Sequence, residues 1–559
     1  KDKDFGPLIK TSMNRCIHCT RCVRFATEIA GVEELGATGR GENMEIGTYV
    51  EHALTSELSG NMIDLCPVGA LTSKPYAFVA RPWELRKTET VDVLDAVGSN
   101  IRVDARGPQV LRVLPRLNEA INEEWISDKT RFAVDGLSRA RLDRPYVRRE
   151  GRLVETGWAD AFAVVGEHLG KLPGQRIAAL AGDLVDVEAM LALKELMAAL
   201  GSTNLDCRQD GARLDPSCRA SYLFNTTIAG IEAADACLLI GSNPRWEAAL
   251  VNARLRKRHL MGGFRIAAIG PTLDLTFPVE QLGASPSLLD DLATGSHGWR
   301  EVLTAAKSPM LILGMGALAR PDGAQILAAA RLLAESCNAI REDWNGFNVL
   351  HAAAARVGGL DVGFVPGAGG RDRDAIMAGC ESGEIEAVYL LGADEIEMSR
   401  LGRAFVVYQG HHGDAGARRA DVVLPGAAYT EKDGTYVNTE GRVQAARRAV
   451  FPPGDAREDW SIVRALSDAL GHKLPYDSLA QLRRHLVDAH PHFGDIDAVS
   501  RQPWAPFGAD GKIATAPFSY PIADFYLTDP ISRASPTMAK CSALSRSVLP
   551  AEAKTGTHG

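Results

Sequence analysis

The chain runs to 559 residues, of which 46% are hydrophobic, 24% charged and 6% aromatic, with a formal net charge of −8. That length suits about four ordinary domains with several buried cores, and an acidic balance lacks the concentrated basic surface that a nucleic-acid partner needs. No apolar run reaches the roughly 18 residues of a membrane span; the most apolar helical stretch, 187–200, is broken by Glu188, Lys194 and Glu195.

The opening residues, Lys-Asp-Lys-Asp-Phe-Gly, are neither a signal peptide nor a natural start. The chain is therefore read as a fragment or processed product, with sequence missing upstream. Close behind comes Arg15-Cys16-Ile17-His18-Cys19-Thr20-Arg21-Cys22. Three cysteines separated by two residues each form a compact loop that offers three thiolates to one face of a cubane. The fourth donor is Cys66, in Asp-Leu-Cys-Pro-Val-Gly-Ala-Leu, where the following proline resembles the end of a bacterial ferredoxin run. The four are predicted to hold one [4Fe-4S] cluster. Zinc is the competing reading, but structural zinc sites present two C-x2-C knuckles, whereas here a triple repeat meets one distant Cys-Pro. Arg15, Arg21 and Arg24 could offset the negative charge of a four-thiolate cubane, and His18 is a lesser candidate for ligation. Phe25, Ala26, Ile29 and Ala30 recur at helical spacing, so a packed helix is predicted after the loop.

Residues 1–80 are assigned to this cluster domain and 81–140 to a small β-rich segment, with alternation through 91–114. Residues 141–500 read as a parallel α/β body. Apolar runs ending in glycine begin at Arg176, Ala236, Arg265, Met310 and Ala387, the first leading into a helix through Leu200. That rhythm predicts parallel layers with loops at the carboxyl ends of the strands. Gly314-Met-Gly-Ala lacks the third glycine of a dinucleotide fingerprint, so no NAD site is expected there. His411-His412 lies in a glycine-rich loop and is expected to be solvated rather than metal-bound. The six remaining cysteines, Cys207, Cys218, Cys237, Cys337, Cys380 and Cys541, are scattered and expected to be buried small hydrophobes. Residues 501–559 form a Pro-rich tail of low helical periodicity. It is expected to reach over a partner, so that deleting 525–559 would weaken assembly and leave the cluster intact.

The cysteine loop and Ser59-Gly-Asn-Met-Ile-Asp-Leu-Cys-Pro-Val-Gly-Ala-Leu-Thr-Ser-Lys-Pro-Tyr, together with Glu84-Leu-Arg-Lys-Thr-Glu, Asn122-Glu-Glu-Trp-Ile-Ser-Asp-Lys, Glu431-Lys-Asp-Gly-Thr-Tyr-Val-Asn-Thr-Glu-Gly-Arg and the Asp524-Phe-Tyr-Leu-Thr-Asp-Pro tail, resemble the large iron–sulfur subunit of respiratory complex I, the 75 kDa subunit family. The resemblance implies a small iron–sulfur domain followed by a molybdopterin-oxidoreductase-like, multi-layer parallel α/β body. It carries the family's cubane onto Cys16, Cys19, Cys22 and Cys66. The family's further [2Fe-2S] and [4Fe-4S] clusters are implied only for the missing N-terminal region, and the extra cubane of some bacterial members is expected to be absent because no cysteine lies between Cys66 and Cys207. The body lacks the cysteines with which molybdenum enzymes of this fold begin, so no molybdenum is expected and no residue is assigned bond-making catalysis. The implied role is one-electron relay from flavin toward quinone within NADH:quinone oxidoreductase. The implied partners are other peripheral-arm subunits, including the flavin- and NADH-binding one, with no nucleic acid. The implied location is the cytoplasmic face of a bacterial inner membrane or the mitochondrial matrix side, reached only through the complex. A molybdopterin-dependent oxidoreductase and a hydrogenase-associated electron-transfer subunit are the alternatives.

Overall fold

The computed structural model describes residues 2–48 and 52–548. The expected parallel layers are present as two sheets. In the larger, strands at Asn204–Asp206, Ile177–Ala181, Ala387–Leu391, Phe405–Gly410 and Val422–Pro425 lie side by side and parallel, with the Tyr146–Arg149/Arg152–Glu155 hairpin added antiparallel at one edge. The second sheet is parallel throughout, in the order Glu280–Gly283, Arg265–Ile269, Ala236–Ile240, Pro309–Leu313 and Phe347–Val349. These strands read as continuous apolar runs because helices cover both faces, and their period of two divides each run between two cores. In Ala236–Ile240, Ala236, Leu238 and Ile240 enter the core of the body. Cys237 and Leu239 turn the other way, into a core shared with the cluster domain and the C-terminal tail.

The segment between cluster and body is the three-stranded antiparallel sheet Arg86–Val91, Asn100–Arg106 and Gln109–Pro115, as its alternation predicts. The helix Val187–Ala199 starts on Asp186, whose side chain accepts from the Ala189 amide at 2.8 Å, an N-cap that relieves one orphan donor. All six scattered cysteines are buried. Burial pushes the Cys380 thiol up to about 11, which keeps it protonated and inert. Among the described residues no helix is long and apolar enough to cross a membrane.

Two expectations fail. The tail is not a segment of low helical periodicity: over its described residues it folds back on its own chain as a turn at Phe525–Leu527 and helices Pro530–Ala534 and Pro536–Val548. Phe525, Tyr526, Ile531, Met538 and Cys541 are buried in the core shared with the cluster domain. Proline spacing misled here because Pro530 and Pro536 stand at helix starts, where a missing N–H costs nothing.

Nor is the histidine pair solvated. His412 is 1% exposed, its Nε2–H donates to the Gly136 carbonyl at 2.9 Å, and its Nδ1 lies 2.5 Å from Nδ1 of half-buried His411. The neutral tautomer that satisfies both bonds has His411 donating to His412 at Nδ1. Burial, with Arg141 nearby, lowers the His412 pKa to about 4. Its folded pKa thus lies below that of the unfolded chain, about 6.5. As pH falls through that window the unfolded chain takes up a proton that the folded one refuses, so stability falls, with a slope of up to ~1.4 kcal/mol per pH unit. His412→Gln keeps a donor for Gly136, and its melting temperature should fall less than the wild type's between those pH values; parallel curves would sink the assignment.

Candidate iron–sulfur centre

The long gap between Cys22 and Cys66 is closed by a short antiparallel pair, Ile9–Thr11 on Leu71–Ser73, in which Thr11 faces Leu71. The Ser12 amide extends it with a 2.8 Å bond to the Ala70 carbonyl. The pair sets the segment entering the cysteine loop beside the one leaving Cys66. A 3-10 turn, Met13–Arg15, delivers Cys16, whose amide donates to the Met13 carbonyl. His18 and Thr20 then take left-handed backbone conformations, with φ of 52° and 60°. For residues other than glycine these are uncommon, and here they coil the chain between cysteines. As a result the His18 N–H donates to Cys16 Sγ at 3.4 Å. The helix Arg21–Arg24 carries Cys22 and runs on as a wider π turn, Phe25–Ala30, whose Phe25, Ala26 and Ala30 are buried.

Cys66 follows the short helix Asn61–Leu65 and has left helical geometry. Pro67 prevents the helix from continuing, and the Leu71 N–H donates to Cys66 Sγ at 3.4 Å. The neighbouring sheet segment anchors this helix. Asp128 accepts from Ser59 Oγ and from the Gly60 amide, both at 2.6 Å. Asn61 donates to the Ile126 carbonyl at 2.8 Å, and Arg131 reaches Asp64. Trp125 packs on Phe25 with ring centroids 5.1 Å apart. Sequence reasoning missed Trp125, Asp128 and Arg131 as supports. Ser127, which caps the helix Asp128–Phe132, was the available signal that this stretch is structured.

Cys19 is exposed, while Cys16, Cys22 and Cys66 are half-buried. Burial, with Cys16 and Cys19 close by, pushes the Cys22 thiol up to about 11. A thiolate there needs compensating positive charge, which a bound iron centre provides. Among the described residues no three His, Cys, Asp or Glu side chains converge on a point that a single ion would fill. A cubane is a cage with a thiolate at each corner, and four thiols in two facing segments, two of them already accepting amide N–H groups, suit it chemically.

The three arginines part company. Arg24 is spent on Glu28, at 2.9 Å one helical turn away. Arg15 crosses to the other ligand segment, and its Nη1 would lie 3.8 Å from a Cβ placed on Gly69, in the turn after Cys66. Arg15 and Arg21 make no ion pair among the described residues.

A second concave feature lies at the carboxyl ends of both parallel sheets, a crevice of about 440 Å³. Such crevices take nucleotides when glycine turns offer free amides to phosphate. Here Glu247, 2% exposed, occupies them. Its carboxylate accepts from Ser242 Oγ and the Asn243 amide after Gly241, both at 2.8 Å, and from the Met315 amide after Gly314 at 2.9 Å. Burial raises its pKa to about 7. The tail closes over the same turns: a Cβ on Gly316 would collide with the Ser519 carbonyl, and one on Gly270 would meet the Tyr520 hydroxyl at 2.6 Å. A pterin dinucleotide does not fit amides already held by a carboxylate of the same chain.

Fold and site together define an iron–sulfur protein built on a molybdopterin-oxidoreductase frame. Comparisons agree segment by segment. Residues 6–72 match the NADH-quinone oxidoreductase subunit 3 ferredoxin-like domain, 85–135 the NDSU1/NuoG-like 4Fe-4S domain of NADH-ubiquinone oxidoreductase, 141–469 molybdopterin oxidoreductase and 497–541 the C-terminal family of the NADH-ubiquinone oxidoreductase G subunit. The second of these segments contains no cysteine here. Over 551 residues the chain is 50% identical to the mitochondrial NADH dehydrogenase [ubiquinone] iron-sulfur protein 1 of Solanum tuberosum, covering 97% of this chain and 73% of that one. It is 48% identical over 541 residues to the G subunit of NADH-quinone oxidoreductase from Rickettsia felis, covering 97% and 79%. The chain belongs to the G-subunit family of NADH-quinone oxidoreductase, and its partners are the other subunits of that complex. Acetylene hydratase from Pelobacter acetylenicus shares the fold, with a TM-score of 0.51, 13% identity and coverage of 74% of this chain and 72% of that one.

Proposed function

We propose that Cys16, Cys19, Cys22 and Cys66 hold one [4Fe-4S] cluster through which this subunit relays single electrons from the flavin-bearing side of NADH:quinone oxidoreductase toward quinone. The reading is carried by two cysteine segments, distant in sequence, that one strand pair sets face to face, with amide N–H groups already aimed at Cys16 and Cys66. When bound, such a cluster supplies a site that gains and loses one electron without bond rearrangement of the protein. The chain's own contribution is electrostatic. The His18 and Leu71 amides bond to two sulfurs, burial against the shared core lowers the local dielectric, and Arg15 lies across the two ligand segments.

Glu247 and the tail, by filling the nucleotide-binding turns, support a body without molybdenum that serves as scaffold. The four units are proposed as 1–80, 81–140, 141–500 and 501–559, with the last now a clasp rather than an arm. The flavin-bearing subunit is the proposed donor-side neighbour, and the cytoplasmic or matrix side of the membrane the proposed location. Anaerobic purification followed by elemental analysis tests the reading: about four irons per chain, with negligible zinc and molybdenum, are expected. Stoichiometric molybdenum would favour catalysis by the body, and zinc without iron would reduce the four cysteines to a structural site.

Arg15 provides a finer test. Removing a cation beside the ligands makes the added electron less welcome, so Arg15→Gln should move the midpoint potential negative by tens of millivolts, where about 59 mV is tenfold for one electron. Removing Arg24 and Glu28 together should leave it in place, because that pair is already neutral. A redox titration in which Arg15→Gln leaves the potential unmoved would remove the arginine from the account.

A further inference from the structure

We propose that the loop 75–83 and the adjoining outer face of the three-stranded sheet seat another subunit of the complex, one that presents an acidic segment and buries an apolar side chain in the groove beside Phe78. The inference deepens the proposed function by giving the relay a docking face. It rests on membership of the complex and not on what the four cysteines hold.

The groove, of about 320 Å³, lies between the helix that leads to Cys66, the loop 75–83 and the strand Gln109–Pro115, and Ile63, Tyr76, Phe78, Leu114 and Val134 line it. Two large aromatics of the loop stand out in solvent, Phe78 at 75% exposure and Trp83 at 80%. Neither is there by slackness of the chain. The Ala77 amide donates to the Ser73 carbonyl at 2.7 Å and the Val79 amide to the Tyr76 carbonyl at 3.0 Å, and between them Phe78 takes a φ of 68°. A bulky aromatic in the left-handed region is strained, and such strain collects where chains clamp a ligand or partner. Arg106 ties the two aromatics' neighbours together, donating to the Val79 carbonyl at 3.4 Å and lying 3.6 Å from Glu84. Exposed rings held in one arrangement lose little entropy on contact, which suits them as anchors of an interface.

Charge selects the partner. From residue 74 to residue 116 there are eight cations and five carboxylates, on a chain whose net charge is −8. Of the carboxylates, Asp92, Asp95 and Asp104 are buried. Glu84 and Glu89 reach the surface but are already held, by Arg106 at 3.6 Å and Arg116 at 3.3 Å. Asp104 is shared between Arg102 and Arg112, at 2.9 and 2.8 Å. Arg81 and Lys87 are exposed and make no ion pair among the described residues. Strand register sets Lys87, Asp104 and Arg112 in one row across the sheet. Arg112 also lines the groove, its guanidinium 4.7 Å from the centre of the Tyr76 ring. Basic row and apolar groove are therefore one surface.

Carboxylates of a partner meet Lys87 and Arg81 at the rim while an apolar side chain fills the middle. A second copy of this chain, offering the same basic face, would be repelled. A nucleic acid would need a denser row of free cations than these two.

The test compares the cluster-loaded chain alone with the assembled complex. Under hydroxyl-radical footprinting Trp83 should be oxidised about tenfold more slowly in the complex, as a desolvated anchor requires. Carbodiimide coupling within the complex should join Lys87 to an Asp or Glu of a different subunit. Trp83→Asp combined with Lys87→Glu, at two exposed positions, should lower the share of the chain that co-purifies with the complex by about tenfold, with iron content and melting temperature of the isolated chain unchanged. Zinc in place of iron in the wild-type chain would sink the relay and leave these contacts as expected, so the two readings fail separately. Equal oxidation of Trp83 in both samples, coupling of Lys87 only to carboxylates of its own chain, or undiminished co-purification of the double variant would each overturn the inference.

Discussion

Replacing Cys66 by serine is expected to leave the folded chain without its intact cluster, with iron falling from about four per chain to below one after anaerobic purification. Serine matches cysteine closely in size, and Cys66 is only half-buried, so the helix Asn61–Leu65 and its bonds to Asp128 and Ile126 should persist. What is lost is a soft, readily ionised donor. The serine hydroxyl ionises far less readily than a thiol and is a poorer ligand for iron held among sulfides. The three loop cysteines then hold one face with no donor opposite, and the Leu71 amide has no sulfur to meet. Cys380→Ser is the control, because that residue is buried in the body beside Ile376 and Met377 and is not expected to change iron content. Equal iron in the two variants would remove Cys66 from the ligand set and return attention to His18.

The proposed ligand set was legible because cluster chemistry demands a particular donor at a particular spacing, which survives in a linear string. The parallel sheets were legible for a similar reason: strands buried on both faces must be apolar along their whole length, as at Ile177–Ala181 and Ala387–Leu391. Hidden from the sequence were contacts between residues far apart in the chain. Asp128 reads as one acidic residue among many until Ser59 and Gly60 are set against it. Glu247 looks like an exposed helical glutamate, and only the juxtaposition of two glycine turns makes it the occupant of a nucleotide-binding crevice. His411-His412 sits among glycines, which usually mark solvent, yet Arg141 and Gly136 close over it from another part of the chain. Arg15 and Arg24 are equivalent in the sequence, and a single ion pair separates their roles.

Met538→Ala in the C-terminal clasp is expected to destabilise the cluster domain by about 3 kcal/mol, although Met538 is more than 450 residues from the cysteines. Met538 is 0% exposed and belongs to the core that also holds Phe5, Leu8, Leu54 and Met62 of the cluster domain. Truncating it removes Cγ, Sδ and Cε and leaves a cavity against residues fixed by two other segments, which cannot collapse to fill it. Polar bonds hold the clasp in register, since Asp135 accepts from the Thr537 hydroxyl at 2.7 Å and from its amide at 3.1 Å. Those bonds keep the helix Pro536–Val548 seated in the variant, so the loss is one of packing rather than of docking geometry. Removing 525–548 entirely would strip Tyr526, Cys541 and Leu544 from Leu8 and Leu54 of the cluster domain, and should cost the cluster as well as the fold. The discriminating measurement follows thermal loss of the cluster's visible absorption alongside the circular dichroism of the body. If the clasp is part of the cluster domain's core, Met538→Ala lowers the cluster transition by several degrees while the body's transition moves little. Weakened assembly with an unchanged cluster transition would instead restore the tail to the role of an arm for partners.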